Sequence, residues 1–267
     1  MYEDLGRPPL SELALRRAVA EDPIGLWREV RVLAETESTN AVVAEEARAG
    51  AAEGLVVVAE SQTAGRGRLG RTWVSPPRAG LTVSVLLRPQ VPDPAEWGWL
   101  PLLTGAAVVT AIRGQTGLDA VVKWPNDVLM GGRKLAGILA EAIHPGAVVI
   151  GCGLNVTTRA EELPPDVAAT SLAIEGARTT DRSVVLRAVL RALAAAYDGW
   201  QIDPAPQRDA YRAVCATLGS AVRLDLPGGS SVTGVAEEVD SEGRLVVDGT
   251  PYASADVVHL RGSDLPG

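Results

Sequence analysis

The 267-residue sequence predicts an α+β protein that carries a small β-barrel at its C-terminal end. Apolar runs of strand length alternate with helix-like segments over most of the chain. Near residue 217 the pattern changes to short alternating strands separated by Gly, Ser and Asp, a spacing that suits a small barrel. We therefore divide the chain into a larger domain, residues 1–216, and a small domain, residues 217–267.

The first elements are predicted from apolar spacing and capping residues. Residues 10–29 have helical spacing with a break at Pro23. The stretch that follows, "RVLAETESTNAVVAEEARAGAAEG", predicts a short strand, a turn and a helix. Ser38, Thr39 and Asn40 are each suitable N-caps for that helix because their side chains can accept from its free backbone N–H groups.

The middle of the chain alternates buried strands with two long helices. Apolar runs predict strands at 55–60, at 80–89, at three places between 120 and 143, and at 146–156. Helical spacing predicts helices at 99–116 and 183–200, the second with Ser183 as its N-cap. The polar, proline-bearing residues 157–182 are predicted to be mostly loop.

Composition sets the expected class and compartment. Apolar residues make up 46% of the chain and charged residues 22%, an ordinary globular balance. No apolar run is long enough to span a bilayer, and the N-terminus lacks the plan of a signal peptide. Cys152 and Cys215 give no disulfide framework. We expect a soluble cytoplasmic protein with no membrane partner, and the net charge of −8 argues against general nucleic-acid binding.

The basic residues are distributed unevenly by type. Of the 25 basic residues only Lys123 and Lys134 are lysines, and they lie within 12 residues of each other. Arginine and lysine are close to interchangeable on a solvated surface, so two neighbouring lysines suggest positions where a compact ammonium is needed. Chance clustering is the alternative.

A glycine-rich basic segment, "SQTAGRGRLGRTW" (residues 61–73, called the arginine loop below), suits the binding of an anion. From Ser61 to Pro92 there is no Asp or Glu but there are five arginines: Arg66, Arg68, Arg71, Arg78 and Arg88. Glycine lets the backbone fold tightly against a ligand, and guanidinium groups bind phosphate or carboxylate through paired hydrogen bonds. The loop lacks the Gly-Lys-Ser/Thr ending of a P-loop, and no helical pattern follows its G-x-G-x-x-G match. A solvated basic loop and a flexible RNA-binding segment are the alternatives.

Five stretches together resemble one family. They are "ESTN" (37–40), "ESQTAGRGRLGRTW" (60–73), "KWPNDV" (123–128), "RKLAGILAE" (133–141) and "GCGLNV" (151–156). In order and spacing they resemble the motif series of biotin protein ligase, also called biotin–[acetyl-CoA carboxylase] ligase, from about residue 30 to the C-terminus. The resemblance implies a class II synthetase-like, biotin–lipoyl ligase fold: a mixed β-sheet with helices packed on it, followed by an SH3-like barrel.

The resemblance implies an ATP-dependent ligase. In that family biotin's carboxylate attacks the α-phosphate of ATP, carried with Mg²⁺, to give biotinyl-5′-adenylate and pyrophosphate. A lysine of the biotin carboxyl carrier domain of an acyl-CoA carboxylase then takes the biotinyl group, and AMP leaves. Because the first step brings a carboxylate against a polyphosphate, clustered cations are needed to neutralise the like charges.

The resemblance also assigns site residues. Catalytic roles fall on Arg66, Arg68, Lys123 and Lys134. Biotin contacts are assigned to polar residues, glycines and cations of the motifs: Ser38, Thr39, Asn40, Gln62, Gly65, Arg66, Gly67, Lys134, Gly137, Gly151 and Gly153. Nucleotide contacts are assigned to Arg68, Arg71, Trp73, Lys123, Asn126, Asp127 and Asn155. No residue is assigned as a resident metal ligand, although Asn126 and Asp127 would also suit a metal role; Trp73 and Trp124 are expected mainly as packing walls.

The sequence alone allows other interpretations of the function. Some family members carry an N-terminal winged helix that binds DNA, but roughly 30 residues before the first strand are too few for its three-helix unit, so we expect a monofunctional ligase with no DNA partner. The alternatives are a lipoate or octanoate transferase of the same fold and a non-catalytic biotin- or nucleotide-binding module. "GRGRxGRxW" followed by "KWPND" favours biotin. The oligomeric state and the particular carrier are not predicted. Residues 61–75 are expected to be mobile without ligand and ordered with adenylate.

Overall fold

The computed structural model describes residues 6–91 and 93–260. The helices in these ranges are α1 (Glu12–Ala20), α2 (Thr39–Arg48), α3 (Trp99–Thr116), α4 (Arg182–Ile202) and α5 (Pro204–Arg212). The strands of the larger domain are β1 (Glu29–Leu33), β2 (Leu55–Ala59), β3 (Gly80–Leu87), β4 (Val121–Lys123), β5 (Asp127–Met130), β6 (Arg133–Ile143) and β7 (Ala147–Asn155). The strands of the small domain are β8 (Ala221–Asp225), β9 (Ser231–Val239), β10 (Leu245–Val247), β11 (Thr250–Tyr252) and β12 (Asp256–His259).

Strands β1 to β7 form one mixed sheet in the order β1-β2-β3-β7-β6-β5-β4. The pair β1 and β2 is parallel, and the other neighbours are antiparallel. Helices α3 and α4 cover one face and α2 covers the other. Val56 and Val58 of β2 belong to the first of these cores, and Leu55 and Val57 belong to the second. Burial on both faces explains why β2 is a continuous apolar run instead of an alternating one.

The predicted helix over residues 10–29 is wrong beyond its first half. Helix α1 begins after Ser11, whose side chain caps it, and ends at Ala20. The chain turns around Pro23, and the last predicted helical residue, Glu29, starts β1 instead. Residues 21–28 form no helix because Pro23 cannot continue one and Gly25 adopts a left-handed conformation with φ +67°.

Ser183 is not the N-cap of α4, as the sequence predicts. The cap is Asp181, whose Oδ1 accepts from Ser183 N at 2.8 Å and from Val184 N at 3.2 Å. A carboxylate at this position also interacts favourably with the positive end of the helix dipole. Helix α5 has no counterpart among the predicted elements, although Asp203 as N-cap and Pro204 in the first turn are standard start signals.

The last five strands form an antiparallel sheet in the order β11-β10-β9-β8-β12, consistent with the predicted SH3-like barrel. The barrel packs on the start of α3 and on the loop between β4 and β5. Trp99 Nε1 donates to Asp240 O at 3.0 Å, and Trp124 Nε1 donates to Gly243 O at 3.0 Å. These buried contacts bring one edge of the barrel next to the arginine loop. The domain boundary at 216/217 stays a prediction.

Two further expectations concern burial. The segment Pro94–Thr116 is long and apolar enough to cross a membrane by length and composition, but 61% of its most apolar window is buried inside the protein, as in a core helix. Cys152 and Cys215 are both buried, as predicted. Burial raises the pKa of the Cys152 thiol to about 12, so this thiol stays protonated and unreactive at neutral pH.

Candidate active site

The floor of the site is the antiparallel pair β6 and β7, with glycines at facing positions. Gly137 of β6 lies directly opposite Gly153 of β7. A Cβ atom at Gly153 would lie 2.3 Å from Trp73 Cε2, and one at Gly151 would lie 2.1 Å from Asn40 Oδ1. The glycines therefore let two predicted site residues rest directly on the sheet backbone.

A buried polar network stands beside this floor. Gln62 Oε1 accepts from Thr39 N at 2.8 Å and from Thr39 Oγ1 at 3.0 Å. Asn40 Nδ2 donates to Glu141 Oε2 at 2.6 Å, and Ser84 Oγ lies 2.6 Å from Asn40 Oδ1. Because Thr39, Asn40 and Ser84 are buried, their orientations are fixed before a ligand arrives. The network brings together three of the residues predicted to contact biotin.

The arginine loop folds back on itself as a short hairpin over the floor. Trp73 N donates to Gly65 O at 2.9 Å, and Gly67 N donates to Arg71 O at 2.7 Å. A Cβ atom at Gly65 would lie 2.4 Å from Trp73 O, so the two arms of the hairpin approach too closely for a side chain there. The tip is a 3₁₀ turn over Arg68–Gly70.

Each arginine of the hairpin has a partner in a different part of the chain. Arg66 Nη1 lies 3.3 Å from Glu141 Oε1 on β6. Arg68 Nη1 donates to Asn126 Oδ1 at 3.1 Å, and its Nη2 donates to Ser254 Oγ at 2.6 Å. Arg71 Nη2 forms an ion pair with Asp256 Oδ2 at the start of β12. The loop is therefore connected both to the sheet and to the barrel.

The two lysines meet at the same place, as their unusual pairing in the sequence suggests. Lys134 Nζ lies 2.7 Å from Asp127 Oδ1 and 6.0 Å from the centroid of the Trp73 ring. Burial lowers the pKa of Lys123, and the positive charges of Lys134 and Arg71 act in the same direction against the pull of Asp127 and Asp256. Lys123 is therefore a partly desolvated cation, and such a cation interacts strongly with an incoming anion.

The same cluster surrounds Arg68. Burial lowers its pKa, with Asp256 and Asp127 raising it and Arg71 lowering it. Among the described residues, Arg71, Lys134, Asp127 and Asp256 lie close enough to shift the pKa of Arg68 or of Lys123. Together with Arg68 and Lys123 these are four cations and two carboxylates, which leaves a surplus of two positive charges. A cluster of this kind is complementary to a polyphosphate.

Of Ser38 and Asn155, two further predicted residues, only Asn155 holds backbone in place through its side chain. Ser38 is the N-cap of α2, and its side chain makes no capping hydrogen bond. Asn155 Nδ2 donates to Thr170 O at 2.9 Å and so ties the loop after β7 to the end of that strand. Trp124 is fully buried, as expected of a packing wall.

Four residues of the site are absent from the predicted set: Ser84, Glu141, Ser254 and Asp256. Ser84 interrupts an apolar strand, which is a detectable signal because an isolated polar residue inside a buried strand needs a partner. Glu141 closes the quoted motif "RKLAGILAE" but has no role assigned there. Ser254 and Asp256 lie in the barrel, where no local pattern distinguishes them from other surface residues.

Two cavities border these side chains. One, of about 530 Å³, lies along the arginine loop and is lined also by Leu139, Glu141 and Ser254. The other, of about 300 Å³, lies between the barrel and the start of α3 and includes Arg68 and Asn126 in its walls. Both volumes fall within the usual range for small-molecule sites, roughly 300–1,000 Å³.

The donor set suits Mg²⁺ only as part of a nucleotide substrate. No group of three or more His, Cys, Asp or Glu residues is placed to hold a metal within residues 6–91 and 93–260. Mg²⁺ is usually held by one or two carboxylates together with substrate phosphates. Asp127, half-buried beside the cation cluster, is the carboxylate that fits that pattern.

The fold and the site together define a class of enzyme. Residues 32–155 match the sequence profile described as the Biotin/lipoate A/B protein ligase family. The chain is 46% identical to the Biotin–[acetyl-CoA-carboxylase] ligase of Mycobacterium tuberculosis over 96% of this chain and 97% of that protein. It belongs to the biotin protein ligase family.

Solved structures agree with this assignment. Biotin protein ligase from Aquifex aeolicus, in complex with biotin and ATP, has a TM-score of 0.73 and 26% identity, covering 88% of this chain and 100% of that one. The enzyme from Leishmania major, in complex with biotinyl-5-AMP, has a TM-score of 0.61 and 27% identity, covering 87% and 98%. The predicted fold, a mixed β-sheet with helices packed on it, is thereby confirmed, and the antiparallel sheet at the C-terminal end is consistent with the predicted barrel.

Proposed function

We propose that this chain activates biotin with ATP as biotinyl-5′-adenylate and transfers the biotinyl group to a lysine of the biotin carboxyl carrier domain of an acyl-CoA carboxylase. The observation that carries the proposal is the surplus of positive charge beside a glycine floor and a buried polar network. A carboxylate and a triphosphate repel each other, so their reaction needs fixed cations between them.

The biotin end of the site is assigned to the network of Thr39, Asn40 and Gln62, with the Gly151 and Gly153 floor beneath it. Biotin is an uncharged ring system with a carboxylate tail, so it calls for fixed hydrogen-bonding groups at one end and a cation at the other. Lys134 is the candidate for the tail, because its ammonium lies by both the floor glycine Gly137 and Trp73. Arg66, paired with Glu141, lies on the network side of the same floor.

The nucleotide end is assigned to Arg68, Arg71, Lys123 and the Asn126–Asp127 pair. ATP with its Mg²⁺ would place phosphates beside Arg68 and Lys123, where Asp127 and Asp256 leave the positive charge incompletely neutralised. In the first step the biotin carboxylate oxygen bonds to the α-phosphorus, and the bond to pyrophosphate breaks. Lys134 stays beside the new anhydride, since it borders both halves of the site. In the second step the carrier amine bonds to the biotinyl carbonyl carbon, loses a proton and releases AMP.

The proposal includes a water-shielding role for the arginine loop, because a mixed anhydride hydrolyses when water reaches it. It also includes a cytoplasmic location and no DNA or membrane partner, in keeping with the net charge of −8 and the absence of a basic surface motif beyond the loop in the sequence. The family profile covers lipoate as well as biotin ligases, so the acid is the point to test first.

The test follows pyrophosphate release with ATP, Mg²⁺ and biotin, and then labelling of a carrier domain. We expect activity with biotin and none with lipoate, and we expect Lys134→Ala to abolish both steps while Lys134→Arg restores little, because the compact ammonium is required. Pyrophosphate release with lipoate and none with biotin would mean that lipoate is the substrate. If the protein binds biotin or ATP but releases no pyrophosphate, it is a non-catalytic binding module.

A further inference from the structure

The arginine loop belongs to the larger domain, yet two of its three arginines are held by the barrel. Ser254 Oγ accepts from Arg68 at 2.6 Å, and Asp256 pairs with Arg71. Arg71 and Asp256 are 185 residues apart in the sequence, so the contact exists only because the barrel docks beside the loop. The loop tip thus lies between its own sheet and a second domain.

We propose that Asp256 is a positioning residue that holds Arg71 ready for the polyphosphate, so that the barrel completes the nucleotide site. The proposal rests on the assignment of Arg71 to the nucleotide. Asp256 accepts from one nitrogen of the guanidinium, Nη2. Because Nη2 carries two hydrogens, its second N–H together with a neighbouring N–H still forms a paired edge for a phosphate. An arginine oriented by one carboxylate can therefore still bind a second anion through its other edge.

Arg71 needs such a partner more than its neighbours do. Its side chain is 64% exposed, so without a partner it would move among many rotamers and would have to be ordered when ATP binds. Arg68, by contrast, is already held at both ends of its guanidinium, by Asn126 and Ser254.

A carboxylate near the phosphates also repels them, and the two effects have opposite signs. The side chain of Asp256 is 30% exposed, so solvent and salt screen its repulsion of the phosphates. Its contact with Arg71 is a direct hydrogen bond, which restricts the position of the guanidinium. We therefore expect the ordering effect to outweigh the repulsion, and removal of the carboxylate to weaken ATP binding.

The chain offers a matched control. Asp225 of β8 lies directly opposite Asp256 in the strand register, and its carboxylate pairs with Arg223 on the exposed surface. Asp225→Ala removes the same charge from the same edge of the barrel but leaves the arginine loop untouched. It should leave the KM for ATP unchanged.

The experiment measures KM for ATP by pyrophosphate release from the full chain at saturating biotin. We expect Asp256→Ala to raise KM for ATP about two- to tenfold, the scale of ordering one long side chain, with KM for biotin unchanged. Asp256→Asn keeps an acceptor for Arg71 and should recover part of the loss. The double variant Arg71→Ala/Asp256→Ala should have a KM for ATP no higher than that of Arg71→Ala, since Asp256 favours ATP binding only through Arg71 and otherwise repels the phosphates.

The outcomes separate the two proposals. An unchanged KM for ATP in Arg71→Ala would refute the assigned nucleotide site. A raised KM in Arg71→Ala with an unchanged or lowered KM in Asp256→Ala would leave that site standing and overturn the role of Asp256. A double variant worse than Arg71→Ala alone would overturn it as well, because Asp256 would then act by another route.

Discussion

Replacing Gly153 by alanine tests whether the glycine floor positions the ligand groups. The added Cβ would lie 2.3 Å from Trp73 Cε2 and 2.7 Å from Trp73 Nε1, whereas ordinary contacts begin at 3.4 Å. The indole must therefore move by at least about 1 Å, or the strand must yield. The strand cannot yield easily, since β7 is paired on both sides, with β3 and with β6.

The size of the effect follows from where the displacement is absorbed. Inserting a methyl group into a well-packed site costs about 1–3 kcal/mol. If the Trp73 ring moves to make room for the methyl group, ligand binding is weakened by that energy. Each 1.4 kcal/mol corresponds to about a tenfold change in affinity. Trp73 is fixed through its backbone bond to Gly65 at 2.9 Å, so a shift of the ring also displaces the hairpin. We expect kcat/KM for biotin in pyrophosphate release to fall about tenfold to a hundredfold.

The assay pairs kinetics with thermal unfolding, and Gly114→Ala is the matched control. Gly114 lies on the exposed side of α3 with nothing within 4 Å of its would-be Cβ. Alanine there should leave activity unchanged and stabilise the helix by up to about 1 kcal/mol. If Gly153→Ala keeps wild-type kcat/KM and the wild-type Tm, Trp73 does not rest on the floor as described, and the reasoning from the glycines fails.

Three further predictions follow from the same contacts. Burial lowers the pKa of Lys123 below 10.5, and a bound phosphate would raise it again. KM for ATP should therefore rise with pH once Lys123 begins to lose its proton, which happens below 10.5. Lys123→Arg keeps its charge and should flatten that rise, whereas identical pH profiles would contradict the role. Arg182→Met should lower the free energy of unfolding in urea by about 3–5 kcal/mol, because it leaves the buried carboxylate of Glu60, 2.6 Å away, without its cation. Adding Glu60→Gln should recover part of that loss. If the losses of the two single variants simply add in the double variant, the ion pair does not have the expected role. Residues 61–75 should exchange amide hydrogens faster without ligand than with adenylate, and equal protection in both states would refute a closing loop.

The site residues could be predicted from the sequence where short motifs contain the residue types that the chemistry needs. The arginine loop, the two lysines and the strand glycines each carry a local signal. These residues come together only because the strand register places Gly137 opposite Gly153. No local sequence pattern determines that register. Register is set by the hydrophobic faces of the whole sheet, so only the folded arrangement reveals it.

The misses have the same physical origin. Ser84 is an isolated polar residue in an apolar strand until the fold brings Thr39 and Asn40 against it. Asp256 looks like any acidic surface residue until the barrel docks. Both depend on partners far along the chain, and propensity alone contains no information about those partners.

An acidic protein can carry this basic site because three of its five cations form an ion pair with a nearby carboxylate. Arg66 has Glu141, Arg71 has Asp256 and Lys134 has Asp127, so the folded chain avoids stacking unpaired positive charges in one half-buried place. These carboxylates come from β6, the barrel and β5, while the surplus of positive charge remains beside Arg68 and Lys123. A bound polyphosphate would therefore add charge where neutralisation is incomplete, without having to displace every existing pair. The site should therefore bind a large anion more tightly than small ions, because only a ligand that contacts Arg68, Arg71 and Lys123 together interacts with all of the unneutralised positive charge.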